Sequence, residues 1–112
     1  MKINKIVLDA LAPVGVPVAF QKYSGTENTY ITFHEYLQNG EDFSDDQEDQ
    51  TGHYIQIDIW SKTDYTALVT TVKSLLLATG FHRLNEADFY EPDTGIYHKG
   101  LKFFYLESKE DT

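Results

Sequence analysis

Apolar residues Ile3, Ile6, Val7, Ala10 and Leu11 recur at the three- and four-residue spacing of a helix, and Pro13 with Gly15 ends the pattern. Val16, Val18 and Phe20 then alternate with Pro17, Ala19 and Gln21, which predicts a short strand with one apolar face. Pro17 has no N–H to donate, so this strand belongs at a sheet edge or Pro17 stands at its start. A polar turn, Ser24 to Asn28, separates it from Thr29 to Leu37, a run of β-branched and aromatic residues. Here Ile31, Phe33 and Leu37 fall on one face and Tyr30, Thr32, His34 and Tyr36 on the other. From His53 to Trp60 the alternation is cleanest, with Ile55, Ile57 and Ile59 facing a core and Tyr54, Gln56, Asp58 and Trp60 facing away.

The second half repeats the logic. Ser61 to Asp64 match a capping box, with Thr63 and Asp64 as alternative caps, and Tyr65, Leu68, Val69, Val72, Leu75 and Leu76 follow at helical spacing until Gly80. This predicts a helix over 64–79. Phe81 to Tyr90 and Ile96 to Leu106 predict a closing hairpin around Pro92, Asp93, Thr94 and Gly95, where proline presets φ and glycine accepts positive φ. Leu101, Phe103 and Tyr105 share a face while Ile96 and Phe104 are out of step, which marks Gly100 as a candidate bulge. The predicted class is α+β, a mostly antiparallel sheet of about five strands with two helices on one face, in the order α-β-β-β-α-β-β. One domain over 1–107 is expected, followed by a polar tail at 108–112.

Charge changes the picture in one place. The net charge is −9, and Glu41, Asp42, Asp45, Asp46, Glu48 and Asp49 place six acids within nine residues, leaving −3 for the rest of the chain. The apolar pattern is silent around this run, so an acidic loop is expected at about 39–52. Such a surface repels polyanions, which disfavours generic binding to DNA, RNA or anionic membrane. No stretch approaches the ~20 apolar residues that span a bilayer, and Asp9 interrupts the apolar run Ile6 to Leu8 that follows Lys2 and Lys5, so a signal peptide is not expected. Without cysteine there is no disulfide framework, thiolate metal site or cysteine nucleophile, which suits a reducing compartment.

Signatures of catalysis are missing. The seven glycines are scattered among turns, so neither a nucleophile elbow nor a phosphate-cradling loop is present. The pair His34 and Glu35 lies in a predicted strand, which sends the two side chains to opposite faces and rules out a helical zinc motif. A metal site from distant residues would draw on His53, Asp58 and His82. In the acidic run Asp42, Asp46 and Glu48 supply hard oxygens, but the order of acids and glycine that defines a calcium loop is absent. The expectation is a protein without catalytic residues, cofactor or metal.

The series Tyr54, Ile55, Ile57, Asp58, Ile59, Trp60, Ser61, Lys62, Asp64 and Tyr65, a helix closing at Gly80 and Phe81, and then Asp88, Tyr90, Glu91, Asp93, Thr94, Gly95, Tyr97, His98 and Lys99 resembles the tail-completion proteins of long-tailed bacteriophages. These are the tail-to-head joining or tail-terminator subunits, and the likeness covers about residues 29–107. The resemblance implies a virion protein, assembled in the bacterial cytoplasm, that forms a six-membered ring with copies of itself at the head-proximal end of the tail tube. Its implied partners are the tail tube protein and the head connector or stopper protein, with DNA passing without tight binding and no membrane.

In that setting the face bearing Tyr30, His34, Tyr36, Tyr54 and Trp60 becomes a candidate protein interface, since it is unusually aromatic for a surface that meets only water. The alternative is that these rings pack under a loop or under the first helix. The acids Glu41, Asp42, Asp45, Asp46, Glu48 and Asp49 become a candidate conduit lining that repels DNA phosphates and lets the genome slide. Two other readings stand beside this one. A neck or head-completion subunit differs in which partner it touches first, and an acidic DNA mimic would inhibit a host nucleic-acid-binding protein.

Overall fold

In the computed structural model, which describes residues 2–41 and 50–108, the elements follow the predicted order. Helix α1 covers Lys2–Ala10 and leads through a 3-10 turn at Ala12–Val14 into strand β1, Val18–Phe20. Strands β2 (Thr29–Glu41) and β3 (Gln50–Ser61) form a long antiparallel pair, α2 covers Thr66–Thr79, and β4 (His82–Glu91) with β5 (Ile96–Ser108) closes the chain. Sheet order is β1-β2-β3-β5-β4, with β1 parallel to β2 at the edge and the other neighbours antiparallel. The class is α+β, with a five-stranded, mostly antiparallel sheet.

Helical spacing delivers what it promises. Ile3, Val7 and Leu11 from the first helical segment and Val69, Val72 and Leu76 from α2 meet Ile31, Phe33, Ile55, Ile57, Ile59, Leu101 and Phe103 from one face of the sheet. Most of these side chains are fully buried, and each contributes about 1.5–3 kcal/mol by leaving water. Helix α2 stops where Gly80 turns left-handed at φ 109°, so that the Gly80 and Phe81 N–H groups donate to the Leu77 and Leu76 carbonyls. Its start differs from the capping-box expectation. Ser61 belongs to β3, where its hydroxyl contacts Thr29 Oγ1 and accepts the Thr63 N–H, and Asp64 Oδ1 accepts both the N–H and the hydroxyl of Thr66.

Two bulges reset the predicted faces. In β2 the pairing passes from Glu35↔Ile55 to Leu37↔Tyr54, so one residue of β2 is extra. Residues paired directly across an antiparallel ladder share a face, so Leu37 joins Tyr54 away from the helices and is 44% exposed, contrary to its predicted place with Ile31 and Phe33. Gly100 is not a bulge: it pairs in unbroken register with Asp58 and Ala87, and the irregularity of the closing hairpin lies between Arg83 and Asn85. Ile96 and Phe104 are out of step with Leu101 and Phe103 because they face the other side. Pairing of β2 with β3 also continues to Glu41↔Gln50, so Asn39, Gly40, Thr51 and Gly52 belong to strands. Asp42, Asp45, Asp46, Glu48 and Asp49 lie outside the described residues.

Candidate docking face of the sheet

The face turned away from the helices carries two aromatic stripes that run across the strands. Register sets the first: Tyr30 pairs with Trp60, Trp60 with His98, and His98 with Phe89. Their rings stack in the same order. Trp60 lies 3.9 Å from His98 at 9° between planes, Tyr30 lies 6.2 Å from Trp60 at 19°, and Phe89 lies 5.2 Å from His98 at 33°. Tyr23 extends the stack beyond β2, 4.4 Å from Tyr30. The second stripe joins Tyr36, Tyr54, Phe104 and His82 at centroid distances of 6.1, 4.9 and 6.3 Å, with Lys102 Nζ 5.0 Å from the Tyr36 ring centre.

Between the stripes sits a polar row. Asp58 Oδ1 accepts hydrogen bonds from Gln56 Nε2 (2.8 Å) and His98 Nε2 (2.7 Å), and Trp60 Nε1 donates to Thr32 Oγ1 at 3.0 Å. Thr32 and Asp58 are buried although neither described helix packs on this face, and both bond to neighbouring side chains of the sheet. In the first stripe Tyr23, Tyr30, Trp60 and His98 stack on one another, whereas the pairs of the second stripe are tilted by 39–59°, so together the stripes present an apolar relief of ring faces and edges. Burial lifts the Tyr36 hydroxyl above its ordinary range, aided by Tyr54, and lifts Tyr30 likewise, aided by Glu91 and Tyr23. Both phenols therefore stay neutral at physiological pH.

All five predicted interface residues, Tyr30, His34, Tyr36, Tyr54 and Trp60, occupy this face, and α1 packs on the opposite one. The sequence pattern missed Phe89, His98 and Phe104, which complete the stripes. The signal that finds the first two is the hairpin register counted outward from Pro92 to Gly95, which places Phe89 opposite His98, while Phe104 joins through its pairing with Tyr54. The metal candidates do not converge: Asp58 and His82 point to the open face, whereas His53 lies on the core face with Ile55. Odd and even residues of one strand point oppositely, so His53 and Asp58 cannot share a site. Among the described residues no group of three or more His, Asp and Glu is placed to hold a metal ion.

His53 instead forms a buried clasp. Its Nδ1 lies 2.5 Å from Glu35 Oε2 and its Nε2 lies 2.8 Å from Glu107 Oε1, while Lys2 Nζ reaches Glu107 at 3.5 Å. Four elements, α1, β2, β3 and β5, are thereby tied at one end of the core.

At the other end, the β4–β5 arm is pinned to α2 by a second network. Lys99 Nζ contacts Glu86 and Asp88, Lys73 Nζ contacts Glu86, and the Tyr65 hydroxyl donates to Asp88 Oδ1 at 2.8 Å. The Lys99 hydrogen bond holds Glu86 below the usual carboxylate range, the Tyr65 hydroxyl does the same for Asp88, and burial with that bond pushes Tyr65 up to about 12. Beyond this network the arm carries Tyr90 and Tyr97, both about half exposed.

No protein-family model matches the sequence. No curated protein matches it either. Solved structures do share the fold: a chain of the virion of a native gene transfer agent particle superposes with a TM-score of 0.60, covering 88% of this chain and 84% of that chain at 15% sequence identity.

Proposed function

We propose that this protein is a structural subunit of a phage-type virion and acts as a tail-completion or terminator protein. In this reading copies form a ring, hexameric in the particle, at the head-proximal end of the tail tube, and the ring joins the tube to the head connector. The carrying observation is the fold shared with a gene transfer agent virion chain over nearly the whole of both chains. The tail-completion resemblance, which covers about residues 29–107, supplies the more specific role. The aromatic face agrees with it in kind, since a ring subunit must present rigid apolar relief to its neighbours.

The interface residues of this reading are Tyr30, His34, Tyr36, Tyr54 and Trp60, joined by Phe89 and Phe104. The acids Glu41, Asp42, Asp45, Asp46, Glu48 and Asp49 repel the passing genome. Electron microscopy of particles made without this protein tests the assignment. Full heads separate from unjoined or abnormally long tails are expected. Infectious particles of normal shape would discard a role in assembly, and joined particles that leak DNA would move the subunit to the neck.

A further inference from the structure

Where α2 begins beneath the β4–β5 arm, Thr63, Asp64, Tyr65 and Tyr97 line a notch of ≈ 320 Å³. Its walls are set by contacts on their far sides. Tyr65 is anchored through its hydroxyl to Asp88, and Tyr97 is backed by Tyr90 at 4.8 Å. The Tyr65 and Tyr97 rings meet at 76° with centroids 6.4 Å apart, so two aromatic walls form a corner. Asp64 supplies a charge at its edge: both of its hydrogen bonds, from the Thr66 N–H and hydroxyl, fall on Oδ1, and Oδ2 accepts none among the described residues. Those two bonds also hold the Asp64 carboxyl below its ordinary range, so it remains charged.

We infer that this notch is a cation seat, which takes an arginine side chain from a partner protein. A guanidinium is flat, stacks on tyrosine faces and pairs with a carboxylate at its edge, which is the combination of walls and charge found here. Asp64 is exposed, so its free oxygen stays hydrated beside a neutral side chain and gains a charged partner only from a cation, while an acidic side chain would be repelled. Lys99 and Lys73 do not fill the seat, since each is engaged with Glu86 in the adjoining network. The assembly reading above says only whose arginine it is; the fit of a guanidinium to the notch does not depend on it.

The probe is N-acetyl-arginine methylamide, titrated into the purified full chain and followed by NMR of the tyrosine ring protons. Its neutral isostere N-acetyl-citrulline methylamide serves as the comparison. Saturable shifts at Tyr65 and Tyr97 are expected from the arginine compound and not from the citrulline compound. Asp64→Asn keeps a side-chain oxygen to accept the Thr66 N–H and hydroxyl but removes the charge, and it should weaken arginine binding roughly three- to fivefold, the scale of one exposed ion pair. Tyr97→Leu keeps an apolar wall without a π face and should weaken it by about the same factor. Equal shifts from arginine and citrulline on the unaltered protein, or undiminished binding by Asp64→Asn, would overturn the inference. Failure of ring assembly in particles would leave these small-probe results where they stand.

Discussion

The two faces of the sheet are built from the same strands and yet solve different problems. The helix-covered face is aliphatic and interlocked: Ile31, Phe33, Ile55, Ile57, Leu101 and Phe103 have no exposed surface. The open face uses rings stacked across strands, with a buried polar row of Thr32 and Asp58 between them. Aliphatic packing gains its stability from area removed from water and needs a second layer to cover it. Aromatic stacking across neighbouring strands covers itself in part, so a face can be rigid while still presenting apolar edges outward. The lesson is that a side chain's neighbour across the sheet, and not its hydropathy alone, decides whether it serves folding or contact.

Adjacent residues on the two faces give the sharpest test. Phe103→Ala opens a cavity in the core and should cost about 3–5 kcal/mol, whereas Phe104→Ala, one position along β5 on the open face, should cost about 1 kcal/mol in the isolated protein. Urea unfolding of both variants measures the gap, and equal losses would mean that the open face is a second core. The histidines allow the same contrast at smaller scale. His53→Gln replaces ring nitrogens that face two separate carboxylates by a single NH2 group and should lose about 1–3 kcal/mol, more than His98→Gln, whose ring is half-buried at the open face.

Acid unfolding probes the network that pins the arm to the covered side. Glu86 and Asp88 titrate below their ordinary values in the folded protein, so their contribution is present above the ordinary carboxylate range and is lost as pH falls through the lowered values. Lys99→Met should therefore destabilise by about 0.5–1 kcal/mol at neutral pH, with the difference from the parent closing in acid. Urea midpoints across that range read the convergence. A mismatch that persists in acid would assign the loss to packing of the Lys99 stem.

The smallest effect concerns the end of the first stripe. A Cβ on Gly25 would fall inside the Tyr23 hydroxyl and ring. Gly25→Ala should therefore displace Tyr23 from Tyr30 at a cost of about 0.5 kcal/mol, the lower end of an aromatic pair, seen as altered ring shifts of both tyrosines. Unchanged shifts would show that this stack does not depend on the close approach.

Much of the fold was legible because burial imposes periods. A helix that must bury one stripe repeats Ile3, Val7 and Leu11, and a strand that must bury one face repeats Ile55, Ile57 and Ile59. Gly80 and the Pro92 to Gly95 turn mark ends through backbone geometry that few other residues adopt as easily. The candidate docking face was half legible. Tyr30, Tyr54 and Trp60 follow from strand alternation, but Phe89, His98 and Phe104 become their neighbours only through the pairing of β3 with β5 and of β5 with β4. The notch was not legible at all, because Asp64 and Tyr97 are 33 positions apart and meet only when the arm folds over the start of α2.

The sequence by itself determined the element types, their order and most of the core, since each depends on spacing within one segment. Tertiary structure decided what depends on register: the turning of Leu37 to the open face by a bulge in β2, the plain pairing of Gly100, the separation of His53 from Asp58 and the stacking of Trp60 on His98. The physical reason is that a strand's period is two, so a single extra residue reverses every side chain after it while leaving the local pattern almost unchanged.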